Sequence, residues 1–390
     1  MPGAIGVICP TDFIKRLPFG GASGFIQNAL SAINYPIVIF GAGVNGTPLW
    51  TPQLLCDNVE FVATYAHLFP SRYPLRLRSL QGYLSSRRRI LKSGVSLLYV
   101  HSPECALPFL FGDDRLPVVF HQHGSGNPVT SAKYSWARNR SLEQLFDQIH
   151  RTIYRRADWI IAIDRLCQDQ VVENGAGNKV NLIMNAVDRG RFRPDPESRA
   201  IMRGATGCCD DELVILFVGR LEEIKQVDRL IKGVAEFRRK IREKCRVRLL
   251  IAGDGTCLPA LVQLRDTCGL ADVVSFLGKV PHDRLPGYYN AADVLVLPSR
   301  MEGVPMVVLE SLACGTPVIA ATVGGIPELV RNGENGILLD QVTPESIATA
   351  LADISVQAPQ PVTISATVAR WGTVEVGAEL STIFSKFVGL

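Results

Sequence analysis

No run of apolar residues in this 390-residue chain approaches the roughly 20 needed to cross a bilayer, so nothing in it reads as a membrane span. The opening MPGAIGVICPTDF has no basic region ahead of a long apolar stretch, and no secretory signal is expected. The ten cysteines include no C-x-x-C pair. They are scattered, several within apolar segments, such as Cys9 in IGVICP and Cys314 in ESLACG. That pattern argues for free buried thiols in a reducing cytoplasm and against a disulfide framework or a zinc cluster. A nucleic-acid recognition module is also missing, as are short repeats and low-complexity tracts.

What is present is a globular composition, 47% apolar and 20% charged, with enough length for two ordinary domains. Short apolar runs alternate with amphipathic or glycine-punctuated segments. Strands are expected at 4–9, 37–40, 97–100, 118–120, 159–162 and 181–184, then at 213–218, 248–252, 273–277, 294–297, 317–320 and 336–339. At 227–240 the period is helical, with Val227, Leu230, Ile231, Val234 and Phe237 on one face. Strands alternating with helices predict parallel sheets covered on both faces. The Pro-, Gly- and charge-rich stretch 191–211 is read as the linker between halves, so that two sheets would face one another across a cleft.

Charge is uneven. Residues 1–195 hold 21 Lys and Arg against 14 Asp and Glu, and the remainder 20 against 23. Seven cations of the excess fall in 71–92 (Arg72, Arg76, Arg78, Arg87, Arg88, Arg89 and Lys92), interleaved with leucines and facing no acid within the stretch. The pattern fits an amphipathic segment on an anionic membrane surface, and equally a solvated basic helix face.

Chemistry-bearing residues gather at strand ends, where ligands of open parallel sheets bind. The segment 294–339 reads strand, loop, helix, strand, with Ser299, Glu302, Gly303, Val304 and Pro305 in the loop and Glu310 on the helix. Two carboxylates about two turns apart suit two hydroxyl-bearing parts of an extended ligand better than a metal or a shared proton. The helix start there suits an anion. Strand 213–218 ends in Gly219, Arg220 and, five residues on, Lys225, so two cations can converge on a diphosphate. A surface pair of Lys225 with Glu222 is the alternative. Gly253 and Asp254 form the turn after the next strand, and the backbone near Val280 could edge a nucleobase. In the first half Gly20 and Gly21 lie in a Gly-rich loop, either a phosphate cradle or an ordinary turn. His121 and His123 follow strand 118–120; they could hold a metal, but with no acid or cysteine cluster close in sequence a hydrogen-bonding role toward a ligand is favoured.

Five ordered motifs, VGRLEEIK, AGDGTCLPAL, FLGKVPHDRLPGYYNAADVLVLPS, EGVPMVVLESLACGTPVIA and GGIPELVRNGENGILL, together with MNAVDRGRFRP, resemble the glycogen-synthase-like retaining glycosyltransferases, family 4 of that class. The match is strong over 181–340 and weak in the first half, where only GGASG and the His123-Gly124 pair resemble the family. The resemblance implies a GT-B fold of two Rossmann-like α/β domains, 1–195 toward the acceptor and 196–370 toward the nucleotide sugar, with 371–390 a helix packing back on the first. It implies a UDP- or GDP-sugar donor, transfer with retention of configuration to a glycan or lipid-linked acceptor, and no cofactor or essential metal.

By matching position, Arg220 and Lys225 would hold the phosphates, Glu302 the sugar hydroxyls and Glu310 the ribose. Gly219, Gly253, Asp254, Val280, Ser299, Gly303, Val304 and Pro305 would line the donor. Gly20 and Gly21 would approach the phosphates from the other domain, and His123 the sugar. The basic stretch then points to cell-surface polysaccharide or glycolipid assembly by a cytoplasmic enzyme, peripheral on the inner face of the plasma membrane. A nucleotide-sugar 2-epimerase and a non-catalytic sugar-nucleotide-binding paralogue are the rival classes. Two departures stand out: Gln226 where the family has glycine, and Ala186 in place of the glycine of Asn-Gly.

Overall fold

In a computed structural model describing residues 3–15, 25–26, 28–67, 75–124, 139–241, 246–357 and 359–389, fourteen strands assemble into two sheets. The sheets belong to two units, Met1–Met184 with Thr373–Leu390, and Asn185–Gly372. Among the described residues no helix is long and apolar enough to cross a membrane.

In the first unit the strands are β1 (Ala4–Ile8), β2 (Ile37–Val44), β3 (Gln53–Cys56), β4 (Val59–His67), β5 (Val95–Val100), β6 (Val118–Gln122), β7 (Trp159–Ala162) and β8 (Val180–Leu182). Their order is β3-β4-β2-β1-β5-β6-β7-β8, parallel throughout except for the antiparallel β3–β4 pair. β1, β2 and β6 are buried at every position, as a sheet covered on both faces requires. Sequence reading passed over β3 and β4. β4 carries Glu60 and Thr64 within its apolar run, and β3 is a short edge with three exposed positions.

Helix Thr373–Ser385 packs in this unit. Ser381 Oγ accepts the Asn34 amide at 3.0 Å, Phe384 meets the Tyr99 ring edge-on, and a Cβ at Gly377 would overlap the Ala32 carbonyl. Behind β1, the buried Asp12 carboxylate accepts from the amides of Ile14, Lys15 and Val44 and from the Thr47 hydroxyl. That one side chain ties the end of β1 to the end of β2.

The second unit holds β9 (Glu212–Val218), β10 (Arg246–Ala252), β11 (Val274–Gly278), β12 (Val294–Leu297), β13 (Val318–Ala321) and β14 (Gly336–Leu339). All are parallel, in the order β11-β10-β9-β12-β13-β14. This is the doubly wound order, and its direction reverses between β9 and β12. The helix Val227–Ile241 buries Val227, Leu230, Ile231, Val234 and Phe237, the face its periodicity marks.

The expected linker is where the structure differs. Residues 191–211 include helix Pro196–Thr206, and this stretch lies within the second unit. Asp195 caps the helix by accepting the Ser198 amide, Pro196 takes its first position and Gly207 ends it in the left-handed conformation. Proline at the start and glycine just past the end are helix punctuation; compositionally they imitate a linker. Arg199 and the buried Arg203 anchor the helix to Asp293 and to the carbonyl of Ala291. The units divide at Met184–Asn185, eleven residues before the expected position of 195.

Candidate functional site

The carboxyl ends of β9 and β12 adjoin at the switch point, and the loops leaving them are joined. Arg300 N–H donates to the Ile224 carbonyl at 2.8 Å, and Lys225 Nζ lies 2.6 Å from Glu302 Oε1. Only 16% and 10% of these two side chains is exposed, so the pair is held largely out of water. Arg220, on the same loop as Lys225, points instead into solvent and pairs with Glu222. The expected alternative partnership of Lys225 with Glu222 is therefore corrected: Glu222 takes Arg220, and Lys225 reaches a carboxylate 77 positions away. The two cations do not share a partner.

Backbone packing holds the neighbouring turns. Gly219 N–H donates to Ala252 O, Leu221 N–H to Asp254 O and Gly253 N–H to Gly278 O, lacing the ends of β9, β10 and β11 together. Gly253 has φ 152°, and a Cβ there would overlap the Gly219 carbonyl. The approach is open to glycine alone. Asp254 is exposed and accepts its neighbour Gly255 N–H; Val280 is half-buried beyond β11.

Gln226 has φ 50°, in the left-handed region, so the loop keeps a glycine-like backbone without glycine. Its buried amide, oriented with nitrogen toward Pro298 O and oxygen toward Arg229 Nε, compensates at 2.9 and 3.1 Å.

After β12 come Ser299, fully buried with no partner for its hydroxyl, then Glu302, exposed Gly303, and buried Val304 and Pro305. Pro305 caps the helix Met306–Ala313. This loop is braced from two sides. Gly325 N–H donates to Gly303 O at 2.8 Å, and Asn185 Nδ2 donates to Val304 O at 2.6 Å. Glu310, on that helix and 2% exposed, accepts from Tyr289 OH at 2.8 Å and faces His282 Nε2 at 2.7 Å. Burial, and then the Glu310 charge, drives the Tyr289 hydroxyl well above its ordinary pKa, so Tyr289 is a fixed donor. A carboxylate offers about four acceptor positions, so Glu310 retains capacity for further donors. Asn185, His282 and Tyr289 lie within the quoted motifs but were given no role in the sequence reading; each role is visible only through its partner.

In the first unit, Gly20 and Gly21 lie outside the described residues. His123 follows β6, with its Nε2 2.8 Å from His101 Nδ1, while His121 Nδ1 lies 2.6 Å from Tyr99 OH. His101 went unremarked in the sequence, although it follows β5 just as His121 and His123 sit at and after the end of the adjacent β6. Of the basic stretch, 75–91 forms a helix, Leu75–Leu91. Arg72 lies outside the described residues; Arg76 and Arg87 reach Glu104 and Asp114, and Arg89 stacks over Trp50, so three of the six described cations have partners far away in sequence.

An ammonium–carboxylate pair at a switch point, beside glycine turns and a helix N-terminus, can bind a ligand that is anionic at one end and rich in hydroxyls at the other.

Comparison with known proteins points the same way. The model of glycosyl transferases group 1 matches residues 198–366, and that of Glycosyltransferase Family 4 matches residues 30–191. A D-inositol 3-phosphate glycosyltransferase from Rhodococcus jostii is 37% identical over 52% of this chain and 46% of its own length. A GDP-mannose-dependent alpha-(1-6)-phosphatidylinositol monomannoside mannosyltransferase from Mycolicibacterium smegmatis is 33% identical over 53% of this chain and 56% of its own. The matched region thus spans about half the length of these relatives. Among solved structures, a sucrose-phosphate synthase from Thermosynechococcus elongatus superposes with a TM-score of 0.78 at 20% identity, covering 98% of each chain. With adjoining matches along most of its length and two doubly wound sheets of the GT-B type, the chain belongs to the family 4, group 1 glycosyltransferases.

Proposed function

We propose that this chain transfers a sugar from a nucleoside-diphosphate sugar to an acceptor hydroxyl, with retention of anomeric configuration and without an essential metal. The observation that carries the reading is the 2.6 Å pair of Lys225 and Glu302 at the switch point. Breaking the glycosidic C–O bond leaves a diphosphate whose growing charge needs stabilisation, and fixed cations and helix amides can supply it. Lys225 supplies that charge and Arg220 swings from Glu222 to join it. Glu302 and Glu310 accept sugar and ribose hydroxyls, and the backbone at Gly303 lines the diphosphate. His123 is assigned to the donor sugar. The positive character at the sugar needs no protein nucleophile if the acceptor attacks the face from which the diphosphate departs.

For the acceptor, the reading is a lipid-linked glycan or glycolipid of the cell surface. Leu77 and Leu84, 64% and 57% exposed and seven residues apart on one helix face, stand beside exposed Arg78, Arg88 and Lys92. An exposed stripe of leucine and cation suits an anionic bilayer surface. The two relatives also act, by name, on inositol-based acceptors, one of them a phosphatidylinositol monomannoside.

Thermal-shift measurement with a panel of UDP- and GDP-sugars tests the donor directly, since a ligand bound to the folded state raises its melting temperature. Stabilisation by one such donor, followed by transfer with retained configuration in the presence of chelator, is the expected result. No shift with any nucleotide sugar removes the reading, and turnover of donor without acceptor would indicate an epimerase.

A further inference from the structure

A cluster at the carboxyl ends of β5 and β6 includes two histidines, His101 and His121, to which the transfer reading gives no role; only His123 figures in it. His101, His121 and His123 each offer one ring nitrogen within 4.8 Å of the others. We propose that these three side chains form a binding site for a divalent transition-metal ion of the zinc and cobalt type. The proposal goes beyond the transfer reading and does not depend on it.

Parallel pairing of β5 with β6 brings the residues together: Val100 sits opposite Phe120, so the next positions, His101 and His121, emerge side by side. His123, two residues further, returns to the same side and stacks on His121 with ring centroids 4.1 Å apart. The site is walled by apolar rings, with Phe25 edge-on to His121 at 4.7 Å. No carboxylate or thiol belongs to the cluster among the described residues.

Three features suit a metal. Burial holds all three imidazoles in the neutral form, which is the ligating form, at neutral pH. His121 Nδ1 is engaged by Tyr99 OH at 2.6 Å; with Nδ1–H donating to the phenol oxygen, Nε2 keeps its lone pair for an ion. Such a partner on the remote ring nitrogen is the usual outer support of a histidine ligand. His101 Nδ1 and His123 Nε2 already converge at 2.8 Å, sharing one proton between two bases. Nitrogen bonds of about 2.0–2.1 Å around a tetrahedral ion need nitrogens roughly 3.3 Å apart, so a separation of a few tenths of an ångström admits the ion in place of that proton. Imidazole alone favours zinc, cobalt, nickel or copper over magnesium and calcium. Three ligands leave a fourth position for water or a ligand oxygen.

The test uses the full chain, stripped with chelator, and Co2+ as the probe. Expected is saturable binding of one Co2+ per chain, with visible ligand-field bands of nitrogen coordination that Zn2+ abolishes and Mg2+ leaves intact. His121→Ala and His123→Asn, each checked for fold by circular dichroism, should weaken binding at least about 100-fold. Failure of the wild-type chain to bind Co2+ overturns the site. So does unchanged affinity in His123→Asn, or a thiolate-to-cobalt band, which would place the ion on cysteines. Because the readout is metal binding and not transfer, its failure leaves the transferase reading standing, and the converse holds.

Discussion

Lys225 and Glu302 neutralise one another at 2.6 Å across loops 77 positions apart, both largely withdrawn from water. In the proposed transfer the pair would have two tasks, the ammonium toward the departing diphosphate and the carboxylate toward sugar hydroxyls. Removing one fixed charge from such a site costs about 10²- to 10³-fold in turnover. Lys225→Ala and Glu302→Gln should each show a loss of that order in steady-state kinetics, with far-ultraviolet circular dichroism unchanged. Wild-type turnover in both variants would remove the assignment.

Tyr289 and His282 hold the two oxygens of Glu310 unequally. Tyr289 is fully buried and His282 half exposed. A hydrogen bond to a buried charged group is worth about 1.5–3 kcal/mol, so Tyr289→Phe should lower unfolding free energy in urea by about that much. His282→Ala, at the solvent side, should cost less than about 1 kcal/mol. Equal losses would show that Glu310 is held differently.

The three clustered histidines make stability depend on pH. Burial, aided by the neighbouring imidazoles, sets His101 and His121 well below the ordinary value, and burial alone lowers His123 to about 3. In the unfolded chain they titrate near 6.5. Between those limits the unfolded state binds more protons, so stability is complete above about pH 6.5 and falls as the solution is acidified. Melting temperature should drop between pH 7 and pH 5, and His123→Asn should flatten that slope.

Gln226 occupies a left-handed backbone position and is buried. Left-handed geometry costs an L-residue about 1–2 kcal/mol, offset here by its amide contacts with Pro298 and Arg229. Gln226→Gly should therefore stay within about 1 kcal/mol of the parent, since it gives up the contacts and relieves the backbone together. Gln226→Val, β-branched and unable to make either contact, should lose about 1–3 kcal/mol. Denaturant titration separates the two.

Membrane association predicts flotation with anionic vesicles at low salt, weakened by Leu77→Asp with Leu84→Asp and by raised ionic strength. Arg87→Ala should instead act on stability, because its guanidinium is bound to Asp114 and to the Pro108 carbonyl. Absence of flotation at low salt counts against a bilayer partner.

Much of the architecture was readable because parallel strands buried on both faces are nearly unbroken apolar runs, and because Val227 to Phe237 repeat with helical period. The site was readable only as separate loops. Which acid Lys225 chooses depends on β9 and β12 becoming neighbours, a relation between residues 77 apart that local spacing cannot carry. Glu222 was the nearer candidate in sequence and went to Arg220. His101 escaped notice for a similar reason: nothing in YVHSPE marks it until β5 pairs with β6. The helix Pro196–Thr206 was misread because proline and glycine serve helix ends as well as linkers.

The return of Thr373–Ser385 to the first unit has a practical corollary. That unit is built from two separate stretches of polypeptide, so no single cut yields both halves whole. A fragment ending at Met184 would lay bare the seat around Ala32 and Tyr99, and one beginning at Asn185 would carry an orphan amphiphile. An isolated first unit would have to be made by splicing residue 184 to 373 through a short linker, and an isolated second one by stopping at Gly372.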